Sequence, residues 1–293
     1  MIDALFGPLL DPQNLEIWLS PWLLGPVGLC IGSFLNVVIH RTPLMLERSW
    51  KLESAEMLGL PAEDIPPITL SRPASRCPHC GHAITWRENI PVLSWLALRA
   101  RCSACRAPIS ARYPLVELFT GALFALIAWR FGPQPATLLW CGLAAMLVAL
   151  AGIDWDTTLL PDGLTLPLLW AGIAGALLGW TGMPLSSSIW GVVAGYLSLW
   201  SVYWLFKLLT GKEGMGYGDF KLLAALGAWL GVTMVLPVVL SASLIGALVG
   251  IGMKFGGALR EGRYVPFGPF LAGAGLVVLL AGQPRVLGWL GWV

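Results

Sequence analysis

The chain has 293 residues, of which 57% are hydrophobic and 12% are charged, and its mean hydropathy is +0.75. Soluble domains contain about 25% charged residues, so this composition excludes an ordinary soluble domain and predicts an all-α polytopic membrane protein. The sixteen tryptophans are typical of the aromatic belts at bilayer interfaces. The net charge is only +2, and we expect the lipid bilayer, and no nucleic acid, as a partner.

Eight apolar segments approach the length of about 20 residues that a membrane-spanning helix needs. They lie at 18–39, 113–131, 136–153, 160–180, 188–209, 222–238, 239–256 and 267–290. The stretch 222–256 is almost continuously apolar, so we divide it at Pro237, and a count of seven spans stays open. The first 17 residues contain no Lys or Arg, so we expect no cleavable signal peptide and a first span that stays as an anchor.

The distribution of Lys and Arg predicts the orientation of these spans. Residues 40–112 contain ten of the eighteen basic residues. If eight spans alternate, the loops near 154–162, 207–221 and 256–266 lie on the same side and carry most of the others. The positive-inside rule makes this side cytoplasmic. The chain is then divided into a transmembrane anchor, a cytoplasmic insert and a transmembrane bundle, at 1–39, 40–112 and 113–293.

The insert contains two C-x2-C pairs separated by 21 residues, a spacing close to that of zinc ribbons. Thiolates that can surround Zn²⁺ tetrahedrally come from Cys77, Cys80, Cys102 and Cys105. His79 or His82 could replace one ligand, but four cysteines already complete the site. A site filled by four protein ligands is structural, and it would hold together a segment with little core of its own. A disulfide is less favoured because the cytoplasm keeps thiols reduced.

Two carboxylates stand at the ends of apolar runs. Asp154 closes the run 147–153, and Asp219 lies between the glycine-rich segment 214–218 and another apolar run. Ionisable groups at membrane depth are costly, so they usually mark function. If the two carboxyl groups face each other, they cannot both ionise cheaply and should share one proton. The ionised member can take a proton from water while the protonated member donates to a scissile carbonyl, which is the chemistry of an aspartic peptidase.

Nearby residues offer alternative roles for these acids. Asp156 lies two residues beyond Asp154, and the sequence leaves open which of them is the primary acid. Asp162 follows a proline and precedes a glycine, so we predict that it is the N-cap of the fourth span. Asp219 could cap the sixth span, and Lys221 could pair with it. Each aspartate taken alone therefore also fits a structural role.

Other classes of function are less well supported. A proton-coupled transporter also buries carboxylates, but both acids lie near one face instead of the midplane, and no inverted repeat is visible. A non-catalytic assembly scaffold could use the zinc insert as a docking module. No H-E-x-x-H motif occurs, so we do not expect a metallopeptidase.

Several blocks of the sequence resemble one family. Gly214-Met-Gly-Tyr-Gly-Asp219-Phe-Lys221 is similar to the G-x-G-D block of the bifunctional type IV prepilin peptidases, the leader peptidase/N-methyltransferases of pilus and type II secretion systems. Ile153-Asp-Trp-Asp-Thr-Thr-Leu-Leu-Pro-Asp162 resembles the partner block of that family, and the two C-x2-C pairs match its cysteine tetrad. Further matches lie at Gly28–Asn36, Asn89–Trp95 and Arg112–Glu117. The resemblance covers roughly residues 20–275, and the order and spacing of the blocks make it specific.

The resemblance implies a substrate, a mechanism and a location. The substrates would be prepilins and pseudopilins, whose short basic leader is removed, usually after a glycine, at the cytoplasmic face of the bacterial inner (plasma) membrane. Asp154 and Asp219 would be the catalytic pair, and Gly216 and Gly218 would shape the substrate loop.

The resemblance also implies a methyltransferase activity associated with the zinc insert. S-adenosylmethionine would donate a methyl group to the new N-terminal residue. The residues that bind this cofactor stay unassigned, because no strand–G-x-G-x-x-G–helix unit occurs, and the G-x-x-x-G of Gly28 and Gly32 is more typical of helix packing. The family often has glycine at the position of Ala100. If that glycine helps to form the methyl-donor site, Ala100 would weaken methyl transfer.

Overall fold

Helices make up most of the described chain. The structure, a computed structural model, describes residues 12–61, 66–256 and 265–292. Within these ranges there is no β-strand, and two isolated β-bridges lie in the insert. The predicted all-α class is therefore confirmed. The chain folds into two compact units, Met1–Thr137 and Leu138–Val293.

The first unit contains two long helices with the polar insert between them in sequence. Its elements are α1 (Pro12–Trp18), α2 (Pro21–Met57), a 3₁₀ turn (Trp86–Asn89), α3 (Leu93–Ala97) and α4 (Arg112–Phe131). α2 has 37 residues, which corresponds to a length of about 56 Å at 1.5 Å per residue. The helix therefore continues well past residue 39, where the first span was predicted to end.

Glycines bring α2 and α4 into close contact. A Cβ atom at Gly28 would lie 2.9 Å from the Cα of Gly121, and one at Gly32 would lie 2.7 Å from the Cα of Glu117. Larger residues would force the two helices apart at both places. The G-x-x-x-G of α2 is therefore a helix-packing motif, as predicted.

The second unit is a bundle around one central helix. Its helices are α5 (Ala136–Thr157, which begins at the boundary), α6 (Asp162–Leu177), α7 (Leu185–Thr210), α8 (Tyr217–Leu230), α9 (Val232–Phe255), α10 (Gly268–Ala281) and α11 (Gln283–Trp289). From Asp219 onward, almost every residue of α8 is buried, because α6, α7, α9 and α10 pack around it. The centre of this unit is thus a short helix that carries an acid in its first turn.

Close contacts fix the second half of α8. Gly191 of α7 and Gly227 of α8 meet at their backbones, and a Cβ atom on either would overlap the carbonyl oxygen of the other. On the α6 side, a Cβ atom at Gly172 would lie 2.7 Å from the ring of Trp229. The indole N–H of Trp229 donates to the carbonyl oxygen of Leu168 at 2.8 Å.

The number of membrane spans stays a prediction. Five helices in the described ranges, α2, α4, α5, α7 and α9, are long and apolar enough to cross a membrane, and the pair α10 and α11, bent by 111°, would make a sixth. A helix occupies each of the eight predicted segments. However, α6 and α8 have only 16 and 14 residues, fewer than the about 20 that a bilayer requires.

The predicted division of the stretch 222–256 at Pro237 is wrong. The chain breaks instead at Gly231, whose φ of 80° suits glycine, and α9 continues through Pro237. A proline removes one backbone N–H from a helix, a loss that helices in apolar surroundings tolerate. The positive φ of Gly231 is therefore what ends α8 and redirects the chain.

Candidate active site and metal centre

Asp154 lies on the last turn of α5. Thr158 has a φ of 56°, and its N–H donates to the carbonyl oxygen of Asp154 at 2.8 Å, so the helix stops within one turn of this residue. Asp154 is only 4% exposed. Its Oδ2 atom accepts a hydrogen bond from the backbone N–H of Gly268 at 2.8 Å. The carboxyl group is therefore buried but not without a donor.

The donor belongs to the start of another helix. Gly268 is the first residue of α10, so its N–H has no partner within that helix. A carboxylate at a helix N-terminus is stabilised as an anion by this hydrogen bond and by the helix dipole. A Cβ atom at Gly268 would lie 2.6 Å from Oδ2 of Asp154, so a larger residue would push the acid away.

Asp219 has a different environment. It is the third residue of α8, which follows the N-cap residue Gly216, and it is 7% exposed. Its Oδ1 atom is buried and has no hydrogen-bond partner among the described residues. Buried polar atoms nearly always have a partner, so an open oxygen of this kind marks a place for a proton, a water or a substrate group.

One leucine connects the surroundings of the two acids. Leu160 lies in the connection between α5 and α6. A Cβ atom at Gly218 would lie 2.6 Å from the Cβ of Leu160, and one at Gly268 would lie 3.3 Å from its Cδ1. Gly218 precedes Asp219 and the N–H of Gly268 binds Asp154, so each acid has a neighbouring glycine that lies against Leu160. The fold thus brings together two acids that are 65 positions apart in the chain.

The other two acids of the first block are exposed. Asp156 lies on the surface, whereas Asp154 is buried, so burial distinguishes the two candidates. The prediction that Asp162 is an N-cap is wrong, because Pro161 occupies that position and Asp162 is the first residue of α6. A proline at the N-cap leaves the aspartate side chain free to bind elsewhere.

Asp162 binds the lysine that the sequence offered to Asp219. Lys221 Nζ donates to Oδ1 and Oδ2 of Asp162 at 2.6 and 2.8 Å. The suggested pairing of Lys221 with Asp219 is therefore wrong. Side chains two residues apart point to different sides of a helix, which explains why α8 does not join them.

The glycine-rich loop before α8 has ordinary backbone dihedrals. None of Gly214, Gly216 and Gly218 has a positive φ. Gly218 packs against Leu160, and a Cβ atom at Gly214 would lie 2.9 Å from the ring of Phe206. These two glycines therefore serve close approach within the chain.

An ion pair and an aromatic cluster anchor the same loop, and no pattern in the sequence singled them out. Lys207 Nζ donates to Glu213 Oε1 at 2.8 Å and to the hydroxyl of Tyr203 at 3.2 Å. The ring of Tyr203 packs against those of Tyr217 and Phe220, with centroids 5.2 and 5.7 Å apart. The end of α7 is thus tied both to the loop and to the first turn of α8.

The four cysteines of the insert converge. Their Sγ atoms all lie within 4.8 Å of one another, and those of Cys77 and Cys105 are 3.8 Å apart. Zn–S bonds of about 2.3 Å in a tetrahedron require sulfur atoms about 3.8 Å apart, so the donor set fits Zn²⁺. All six cysteines of the chain are free. The cluster can therefore hold a metal ion such as zinc.

Two similar turns present the thiols. In the first, the N–H of Cys77 donates to the carbonyl oxygen of His82 at 2.9 Å, and in the second the N–H of Cys102 donates to that of Ala107 at 2.9 Å. In both turns a later N–H bonds back to the carbonyl oxygen of the first cysteine. The repeated geometry explains why two short motifs far apart in the insert form one site.

Backbone N–H groups in these turns also favour thiolates. Those of His79 and Cys80 lower the pKa of Cys77 to about 7. In the second turn the N–H groups, first that of Cys105, lower the pKa of Cys102. A thiolate is the form that binds a metal, so these N–H groups favour metal binding by Cys77 and Cys102.

His82 has a role other than metal binding. Its Nε2 atom lies 3.3 Å from both carboxylate oxygens of Glu88 and 3.3 Å from the hydroxyl of Ser103. Hydrogen bonds from Ser103 and from Thr85 hold the pKa of Glu88 down at about 2. Glu88 is therefore a carboxylate that helps to join the two turns.

A strained turn lies between the two cysteine pairs. Val92 has a φ of 59° and a ψ of −48°, and the N–H of Leu93 donates to the carbonyl oxygen of Pro91 at 2.5 Å. A β-branched residue rarely adopts such a γ-turn. The buried carboxylate of Glu117 accepts the N–H of Val92 at 2.7 Å, and no Lys, Arg or His in the described chain pairs with it. Strain of this kind often lies at functional sites.

Ala100 occupies a position that normally favours glycine. Arg99 and Ala100 have φ values of 52° and 57°. Their N–H groups donate to the carbonyl oxygens of Leu96 and Trp95 at 3.0 and 2.8 Å, which is a Schellman motif at the end of α3. Alanine takes this left-handed conformation at a cost of about 1–2 kcal/mol. Alanine in place of glycine therefore makes this turn less favourable, but the turn still forms.

These features define a multi-pass helical membrane protein with two carboxyl groups buried at the ends of helices and a cluster of four cysteines that can hold a metal ion. The chain belongs to the type IV leader peptidase family. The model of that family matches residues 141–251, and the model of the bacterial peptidase A24 N-terminal domain matches residues 27–131. The resemblance noted in the sequence is thus confirmed.

Relatives match almost the whole chain. A prepilin leader peptidase/N-methyltransferase from Aeromonas hydrophila is 55% identical over 91% of this chain and 92% of its own length. Proteins of the same name from Burkholderia pseudomallei (strain 1026b) and Pseudomonas aeruginosa are 54% and 51% identical. They match 89% and 88% of this chain and 85% and 89% of their own lengths. No solved structure matches the chain.

Proposed function

We propose that this chain is a membrane-embedded aspartic endopeptidase that removes the short basic leader from type IV prepilins and pseudopilins and then N-methylates the new N-terminal residue. Membership of the family and the names of the relatives support the substrate class and both activities. The observation that carries the peptidase mechanism is the buried acid pair. Asp154 binds the N-terminus of α10, and Asp219 keeps one oxygen open.

The surroundings of the two acids suggest different roles. Asp154 accepts an N–H at a helix N-terminus, which favours its anion, so it acts as the general base. Asp219 is buried, and its Oδ1 receives no hydrogen bond from the described residues, so it is the member that keeps the shared proton. The different surroundings of the two aspartates thus give them different roles, one as a base and the other as an acid.

Peptide hydrolysis then follows in two steps, each with two proton transfers. Asp154 takes a proton from water while the water oxygen attacks the scissile carbonyl carbon, and Asp219 gives its proton to the carbonyl oxygen. When the C–N bond breaks, Asp154 returns its proton to the leaving amine. Asp219 recovers a proton from a hydroxyl of the intermediate. The pair ends in the protonation state in which it began.

We place the reaction at the cytoplasmic face of the bacterial inner membrane. The asymmetry of Lys and Arg supports this side, because residues 40–112 carry ten of the eighteen. Asp154 lies at the end of α5 that leads into one of the loops on that side. Gly216, which precedes the acid on α8, is exposed, so the loop is accessible from outside the bundle.

The first unit supports the second reaction. Zn²⁺ bound by the four cysteines would join the two turns and have a structural role. S-adenosylmethionine supplies the methyl group when it is bound. Glu117 fits this positively charged cofactor, because a buried carboxylate without a cationic partner calls for a counter-charge. Since the turn at Ala100 forms without glycine, we infer that methyl transfer is retained.

One incubation tests both activities. Purified protein is mixed with a prepilin peptide, with and without S-adenosylmethionine, and the masses of the products are measured. We expect leader removal in both mixtures and the added mass of one methyl group on the mature peptide only with the donor. A peptide that stays intact in both mixtures overturns the proposal, and this is the result that the alternative, a proton-coupled transporter, predicts.

A further inference from the structure

The two segments that carry the buried acids are joined by an ion pair outside the acid pair. Lys221 Nζ donates to both carboxylate oxygens of Asp162, at 2.6 and 2.8 Å. Lys221 is two residues beyond Asp219 on α8, and Asp162 is eight residues beyond Asp154, at the first position of α6. The pair therefore connects the segments 153–162 and 214–221, each of which carries one of the buried acids.

We propose that Asp162 and Lys221 are positioning residues, which hold the first turn of α8 in the rotation that directs Asp219 towards Asp154. The inference rests on the proposed peptidase function. Neither residue touches the reacting atoms. They act by setting the position of the carboxyl group of Asp219.

The contacts of α8 explain why its first turn needs such a support. The second half of the helix is fixed by Gly227 against α7 and by Trp229 against α6. The first turn packs against α7 through Tyr217 and Phe220, whose rings contact that of Tyr203. On the side of the connection before α6, Gly218 packs on Leu160. A glycine contact sets a distance but resists rotation poorly. The two hydrogen bonds of Lys221 supply a directional contact at this end.

Helix geometry makes small rotations important. Asp219 and Lys221 point to different sides of α8, so fixing one side chain fixes the direction of the other. Side-chain atoms lie about 6 Å from a helix axis, so a rotation of about 10° moves a carboxyl group by about 1 Å. A displacement of about 1 Å at a reacting group can lower a rate by about a hundredfold. A weak contact can therefore have a large effect on catalysis.

The exposure of the pair argues against a role in folding stability. The side chain of Asp162 is 56% exposed and that of Lys221 is 29% exposed. Ion pairs this accessible to water contribute little to the free energy of unfolding. An experiment can therefore distinguish an effect on the position of Asp219 from an effect on the free energy of unfolding.

The test uses Asp162→Asn, Lys221→Met and the charge-exchanged double variant Asp162→Lys/Lys221→Asp. Lys212→Met, which removes an exposed lysine of the preceding loop, is the matched control. For each variant, kcat and KM for leader removal are measured on a prepilin peptide. Methyl transfer to a peptide already cleaved and the thermal unfolding midpoint report on the rest of the molecule.

We expect each single variant to lower kcat about tenfold to a hundredfold, with KM, methyl transfer and the unfolding midpoint close to wild type. The exchanged variant should recover most of the lost kcat, because it restores the pair with opposite polarity. The control should behave as wild type.

Three outcomes would overturn the inference. They are single variants with a wild-type kcat, an exchanged variant no better than the singles, and losses in methyl transfer or thermal stability equal to the loss in kcat. Failure of the wild-type protein to cleave the peptide would instead remove the proposed function on which the inference rests.

Discussion

The two candidate sites of this protein are built in opposite ways. The cysteine centre is local: Cys77 and Cys105 are 28 residues apart, and two short turns of similar geometry present all four thiols. The acid pair is distributed: Asp154 and Asp219 are 65 positions apart and depend on three helix ends and one leucine. The first site is a motif that a metal can complete, and the second exists only through the packing of a bundle.

This difference has consequences for how each site fails. If the cluster binds the proposed zinc ion, loss of one cysteine should unfold the insert, because the metal would take the place of a hydrophobic core there. Loss of one carboxyl group should leave the bundle folded, because many apolar contacts hold α8. The predictions below test this contrast, from the largest expected effect to the smallest.

Replacing either buried acid should remove the peptidase activity. We expect Asp154→Asn or Asp219→Asn to lower the rate of leader removal by about 10²–10⁴-fold, the usual contribution of general acid–base catalysis. The double variant should be no worse than a single one, because the two acids act as a unit. Product masses over time give the rates. Methyl transfer to a peptide already cleaved is the control, and normal processing by either single variant would contradict the assignment.

Breaking the cysteine centre should have the reverse pattern. We expect the wild-type chain to contain about one zinc ion per molecule and Cys80→Ser to lose it, with rapid proteolysis of the insert and loss of methyl transfer. Leader removal should persist at a reduced or normal rate. Metal analysis and limited proteolysis provide the measurement. A wild-type chain without zinc, or an insert equally resistant in the variant, would refute the structural role.

A single methyl group should disturb the bundle around α8. Gly227→Ala places a Cβ atom against the carbonyl oxygen of Gly191, so α7 and α8 must separate. We expect a loss of about 1–3 kcal/mol in the free energy of unfolding, as for other overpacked sites. Gly142→Ala is the matched control, since its Cβ atom would meet no atom within 4 Å. Equal unfolding midpoints for the two variants would mean that the contact is not tight.

The insert should show a dependence on pH through Glu88. Its pKa is about 2 in the folded chain, below the ordinary value of 4.5. The carboxylate therefore contributes stability that is present above pH 4.5 and is lost as the pH falls towards 2. Glu88→Gln should lower the unfolding midpoint at neutral pH, and the difference from wild type should vanish across that range. A difference that is independent of pH would show that the charge is not responsible.

The smallest effect should come from the left-handed turn after α3. Ala100→Gly removes the cost of a positive φ but adds entropy to the unfolded chain, so we expect a net gain of about 0.5–1 kcal/mol in stability. Ala97→Gly, within α3, should instead lose stability. Thermal unfolding of both variants gives the comparison. Methyl transfer by Ala100→Gly should equal that of wild type if the position serves only the turn.

The sequence predicted the local features well and the contacts poorly. The C-x2-C spacing identified all four cysteines of the cluster, and hydropathy located the long apolar helices but not the short helices α1 and α3. The segment 222–256 was divided at Pro237 because proline is the strongest helix breaker in that stretch. The chain instead breaks at Gly231, which has a positive φ. Asp162 was assigned to the wrong role, because its partner Lys221 lies 59 residues away.

The sequence by itself determined the class of the protein, the four cysteines of the cluster and the short list of acids, since composition, spacing and apolar runs are properties of neighbouring residues. Only the tertiary structure decided which acids are buried, that the N–H of Gly268 binds Asp154, and that Asp162 takes Lys221. These outcomes depend on which helix ends meet in the bundle. Contacts between helix ends depend on the packing of many side chains that are distant in sequence, so no local sequence pattern predicts them.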